Sequence, residues 1–140
     1  MSRSGYDDDY IETWPMIRWR GAVTSAIRGK RGQALLREML AALDALPEPK
    51  LIAYELIDSD GNCCALGAVA KARAIDVTGI DPEDRYHVSE RFGIAYALAC
   101  EIAYWNDEGS IGPDTPERRF ARMRAWVEEQ IRDEAMEGKS

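Results

Sequence analysis

The 140-residue chain has one histidine, His87, and three cysteines, Cys63, Cys64 and Cys100, two of them adjacent. A single histidine excludes a histidine-rich metal site, and an odd cysteine count with a neighbouring pair is a poor disulfide framework. All three are read as free thiols, and no metal or other cofactor is expected. Adjacent cysteines on a strand point to opposite faces, so the pair would rarely reach one ion. Cys63 or Cys100 with His87 makes a nominal nucleophile and base, but small apolar neighbours suit core thiols better. Walker A, Rossmann and nucleophile-elbow patterns are missing. Asp107 and Glu108 lack the ladder of oxygen ligands that a calcium loop needs. The chain is therefore read as non-enzymatic, with no catalytic residue.

No apolar run approaches the ~18 residues that span a bilayer, and the opening MSRSGYDDDY is acidic where a signal peptide would be basic and then apolar. These absences lead to the expectation of a cytoplasmic protein with no membrane partner. What is present is a domain-sized amount of apolar sequence: 46% hydrophobic residues and four tryptophans against 31% charged. That suffices to offset ordering entropy in one domain and is too little for two. Residues 1–12 are expected as an acidic flexible arm, 13–131 as a single globular domain, and 132–140 as a polar tail.

The charge is unevenly placed. The formal net charge of -7 argues against undirected nucleic-acid binding, which depends on neutralising phosphates. Yet from Thr13 to Arg37 there is no acid, while Arg18, Arg20, Arg28, Lys30, Arg31 and Arg37 are basic. From Asp76 to Asp114 the balance reverses, with nine carboxylates against Arg85 and Arg91. Either one end of the domain attracts anions, or the two segments pack together and neutralise each other.

Helical spacing dominates the rest. Thr13 is expected to cap a helix with Pro15 in its first turn, and Met16, Trp19, Val23, Ala26 and Ile27 form its apolar face. Gly29 suits the left-handed residue that ends a helix. Leu35, Leu36, Met39, Leu40, Leu43 and Leu46 define the next helix, stopped by Pro47 and Pro49. LIAYELID reads as a strand paired through the SDGN turn with Asn62 to Leu66, giving one small β-hairpin. LGAVAKARAID favours a helix, and Asp81 is expected to cap another that runs from Pro82 to about Phe92. AYALACEIAYWN is apolar nearly all round apart from Glu101, as in a central buried helix. Thr115 and Pro116 open the last helix, whose stripe is Phe120, Met123, Val127 and Ile131. The fold class expected is a compact, mainly α domain (α+β) carrying that hairpin.

Two motifs bear on contacts. AIRGKRGQ, between two helices and ahead of two strands, resembles the KH domain over roughly Ala22 to Leu66. In that domain a GXXG loop clamps a nucleic-acid backbone, although the opening strand is not evident here. The plainer reading is a helix-to-helix corner. Functionally it is a contact point for an anion or an acidic partner, with Arg20, Arg28, Gly29, Lys30, Arg31 and Gly32 as the binding residues. VSERFGIAYALACEI imitates a helix-turn-helix, but its second helix offers no Arg, Lys, Asn or Gln between Tyr96 and Trp105 to read base edges.

Over most of its length, in IRWRGAVTSAIRGKRGQALLREMLAALDALP, CALGAVAKAR, ERFGIAYALACEIAYWNDEG and TPERRFARMRAWVEEQI, the chain is similar to small bacteriophage and prophage accessory proteins of unassigned function. The resemblance carries no catalytic signature and transfers no site residue. It implies a host cytoplasm and an accessory role, such as blocking a host defence complex in the manner of anti-CRISPR proteins. The expectation is thus an interaction protein whose partner is a host or phage protein or nucleoprotein complex. The alternative is a nucleic-acid-binding protein that uses the basic corner or the helix pair.

Overall fold

The computed structural model describes residues 5–110 and 112–131, with side chains from residue 15 onward. Six helices follow one another: α1 (Gly5–Arg28), α2 (Lys30–Asp44), α3 (Ala65–Arg73), α4 (Arg85–Phe92), α5 (Tyr96–Asp107) and α6 (Pro116–Gln130). The α5 helix lies at the centre and touches α1, α3, α4 and α6, while α2 closes the other side against α1, α3 and α6. Leu36, Met39, Val69, Leu98, Met123 and Val127 are fully enclosed between them. Burying each such aliphatic side chain stabilises the fold by about 1.5–3 kcal/mol. No helix among the described residues is long and apolar enough to cross a membrane. Residues 132–140, expected as a polar tail, lie outside the described residues, as do 1–4.

The α1 helix departs from expectation at both ends. It begins at Gly5, ahead of Thr13, and Pro15 stands inside it. A proline there removes one bond of the ladder and crowds the preceding turn. At the other end Gly29 is extended (φ -71°, ψ 165°), not left-handed. It acts as the N-cap of α2, and its own N–H donates to Ser25 O at 3.0 Å. A single residue thus joins the two helices.

The expected β-hairpin is not formed; among the described residues there is no strand, only one antiparallel bridge between Ile57 and Cys63. The turn itself is present, since Asp58 Oδ1 accepts from the N–H groups of Asp60 and Asn62 at 3.0 and 2.9 Å. What prevents a ladder is upstream: Tyr54 takes a positive φ of 68°, which breaks the extended run. Its N–H is satisfied by Asp107 Oδ1 at 3.1 Å instead of by a neighbouring strand. The loop then lies directly on α3, where a Cβ on Gly67 would sit 1.9 Å from Leu56 O. The backbone of this stretch is thus shared: Ile52, Leu56 and Asp58 still bond to residues 62–64, while Leu51 and Tyr54 are satisfied from α6 and α5.

Helix termini follow local chemistry. The Cys64 Sγ accepts from Gly67 N–H at 3.4 Å to cap α3, and Thr115 Oγ1 accepts from Arg118 N–H at 3.1 Å ahead of Pro116 in α6. Asp84, not Asp81, caps α4 through His87 N–H at 3.2 Å; Asp81 instead accepts from Glu83 N–H in the preceding turn. The α3 helix ends on Ala74 in the left-handed region (φ 57°, ψ 40°), an exposed position where a Cβ is strained. Ala74→Gly is expected to raise stability by about 0.5–1 kcal/mol, read in urea as a higher midpoint at unchanged slope. A lower midpoint would show that this cap is not strained.

Candidate interaction site

The GKRG stretch does not form an open loop. Lys30, Arg31 and Gly32 make the first turn of α2, and only Gly29 turns the chain. Gly32 is buried, and a Cβ there would lie 1.9 Å from Ala26 O. Its hydrogen is what lets α2 cross the last turn of α1. Gln33, 4% exposed, fixes the joint by donating to Ile27 O at 2.8 Å and to Gln130 O at 3.0 Å, tying α1 to the end of α6. Of the expected binding glycines, Gly32 is therefore a packing residue and Gly29 a cap.

The basic residues divide. Arg20 reaches across to α5 and pairs with Glu101, with Nη1 3.1 Å from Oε1. Trp105 Nε1–H donates to the other carboxylate oxygen at 3.1 Å. Here the basic and acidic segments do neutralise each other. Arg28, Lys30 and Arg31 remain exposed around the corner, Arg31 making only a long 3.4 Å contact to Gly93 O. With the N-terminal end of α2 between them, they give this corner a positive field. A shallow depression of 230 Å³ lies there, lined by Ser25, Gly29, Lys30, Arg31 and Ala95 among others.

Beside the corner runs an apolar surface that periodicity alone places in a core. Only Val23 and Ile27 of the α1 stripe are buried; Met16 is 65% and Trp19 37% exposed. Trp19 meets Tyr96 edge to face (6.1 Å, 78°), and Tyr96 stacks on Tyr86 (4.1 Å, 15°). Tyr86 and Tyr104 are 68% and 50% exposed. Between α1 and α5 a groove of 560 Å³ is lined by Met16, Trp19, Arg20, Cys100, Glu101, Tyr104 and Trp105. These aromatics went unrecognised in the sequence because spacing shows that a face is apolar, not what covers it.

The other candidate chemistry separates. Burial pushes the Cys64 thiol up to about 12 and raises that of Cys63, so both stay protonated and inert at neutral pH. His87 is exposed on α4, and among the described residues no three His, Cys, Asp or Glu side chains converge to hold a metal ion. In the helix-turn-helix candidate, Gly93 makes the left-handed turn (φ 70°) between α4 and α5. However, α5 is the central helix, with Ala97, Leu98, Ala99, Glu101, Ile102 and Asn106 buried, so it is not free to enter a groove of DNA.

Comparison with protein-family models, curated protein sequences and solved structures returns no significant match.

Proposed function

We propose that the protein is a non-enzymatic interaction protein that takes hold of a protein or nucleoprotein partner through the α1–α5 groove. The observation that supports this reading is the exposed aromatic surface of Trp19, Tyr86 and Tyr104, with half-buried Tyr96 between Trp19 and Tyr86 and Met16 at its edge. Trp, Tyr and Met are the residue types that concentrate binding energy at interfaces, and here the intramolecular Arg20–Glu101 pair leaves the groove floor neutral. Arg28, Lys30 and Arg31 would then steer acidic groups of the partner toward it. The phage resemblance would make the partner a host defence complex, and the protein its inhibitor.

A second reading, nucleic-acid binding by the corner, draws support from three exposed cations at a helix N-terminus. Capture from host extract with and without nuclease, using wild type, Trp19→Ala and the double variant Lys30→Glu/Arg31→Glu, separates the two. Trp19→Ala is expected to weaken a protein partner by about 2 kcal/mol or more, roughly thirtyfold. The double variant should keep the melting temperature, slow association and reduce its salt dependence. A partner that disappears with nuclease, ignores Trp19→Ala and loses about two units of logarithmic salt slope in the double variant would establish the second reading.

A further inference from the structure

The opposite face of α5 from the groove borders a second opening, independent of the interaction site. Ala99, Ile102 and Ala103 of α5 form one wall of a narrow slot, and Leu56, Leu66 and Val88 form the others. Its volume is 30 Å³, which is room for about two or three water-sized groups. At Tyr54, Pro82, Arg85 and Asp107 the slot meets a wider vestibule of 360 Å³ that also includes Glu83 and Glu108.

The two compartments ask for different chemistry. An ordered water needs about three hydrogen-bond partners; the six aliphatic side chains of the slot offer none, and its two buried polar ones are already engaged, Asn106 with Ala65, Ile52 and Asp107 and Cys64 with Gly67 N–H, whereas an alkyl chain gains by leaving solvent there. Around the mouth stand four carboxylates, Glu55, Glu83, Asp107 and Glu108, against one guanidinium, that of Arg85. The Arg85 side chain is itself held back on the Pro82 carbonyl. The mouth therefore favours a cation and repels an anion. It is also preformed, because Asp107 Oδ1 holds the Tyr54 backbone N–H at 3.1 Å and leaves the Tyr54 ring 61% exposed at the rim, where a cation can lie against its face.

We infer that this opening binds a short primary alkylammonium ion, with its aliphatic chain in the slot and its ammonium among Glu83, Asp107 and Glu108. The order of the compartments sets the specificity. Charge sits outside and carbon inside, which fits a free monoamine. A lysine side chain carries its charge at the buried tip, and a diamine would drive a second ammonium into the slot, where nothing pairs it.

Titration of the protein at low salt with methyl-, ethyl-, propyl- and hexylammonium, followed by the amide resonances of Tyr54 and Asp107, tests this. Affinity should rise about fourfold per added methylene and stop rising beyond propyl, as the slot is filled. Butanoate and 1,4-diaminobutane should give no saturable shift over the same range. Glu83→Gln with Glu108→Gln, both exposed and joined to the fold's hydrogen bonds through their backbone N–H groups, which the change leaves in place, should weaken propylammonium about tenfold at unchanged melting temperature. Ala103→Leu should abolish the gain from methyl to propyl. Should that variant fail to fold, the carboxylate pair and the chain-length series decide. Equal binding of butanoate, affinity indifferent to chain length, or no saturable shift with any amine would each overturn the inference.

Discussion

Gly32→Ala is expected to destabilise the protein by about 3 kcal/mol or more, while Gly29→Ala, three residues earlier in the same GKRG stretch, stays within about 0.5 kcal/mol of wild type. A methyl at Gly32 would stand 1.9 Å from Ala26 O, 3.0 Å from Ala26 C and 3.1 Å from Ile27 O. All three are backbone atoms, so no rotamer change relieves the clash; α2 must move away from α1. The better helix propensity of alanine returns only about 1 kcal/mol. At Gly29 the same methyl meets nothing nearer than Ser25 O at 3.4 Å, and φ is ordinary. Thermal unfolding should show a loss of about 6–12 °C for Gly32→Ala. Two glycines gripping a ligand would respond alike in binding and hardly at all in stability. Equal, small stability changes would therefore restore the clamp reading.

The second large effect is expected at Asn106, 2% exposed near the end of α5. Its Oδ1 accepts from Ala65 N–H at 3.0 Å, at the start of α3, and its Nδ2 donates to Ile52 O at 3.0 Å and to Asp107 Oδ1 at 2.7 Å. Asn106→Ala leaves the N–H of fully buried Ala65 and the carbonyl of Ile52 without these partners. An unsatisfied buried group costs about 1–3 kcal/mol, and the half-buried Ile52 adds less than fully buried Ala65, so about 2–4 kcal/mol should be lost for the two. Urea unfolding gives the magnitude, and hydrogen exchange gives the cause: the Ala65 amide should lose far more protection than that of Leu98. Uniform loss across the core would mean that the cavity, not the broken network, dominates.

The helices were legible wherever an apolar stripe and a terminus signal coincide. Met123 and Val127 with Thr115 and Pro116 define α6, and Leu35, Leu36, Met39 and Leu43 define α2. The stretch 51–58 was legible only in part: its turn and its bonds to residues 62–64 follow from local sequence, but the kink at Tyr54 and the bonds to Asn106 and Asp107 are set by residues some 50 positions away. The site was legible only in part. Spacing identified the basic corner and the apolar face of α1, but that Arg20 is taken up by Glu101 and that Trp19 is left beside Tyr96 depends on where α5 passes. Pairing in space has no local signature when both residues look ordinary in their own helices.

The loop from Ala45 to Cys64 is anchored from the far end of the chain: Leu51 N–H donates to Pro116 O at 3.0 Å, Arg119 Nη1 donates to Leu51 O at 2.8 Å, and Asn106 holds Ile52. Its local bonds, Ile52 to Cys63, Cys64 to Leu56 and Asp58 to Asn62, can form without the rest of the chain, but the anchors at Leu51 and the Ile52 carbonyl need α5 and the start of α6 in place, and closing so long a separation is slow. The docking of its first half is thus a late event in folding. During synthesis the α1–α2 pair can assemble on the ribosome while this loop waits for residues about seventy positions behind it, exposing LIAYELID to competing pairings for that interval.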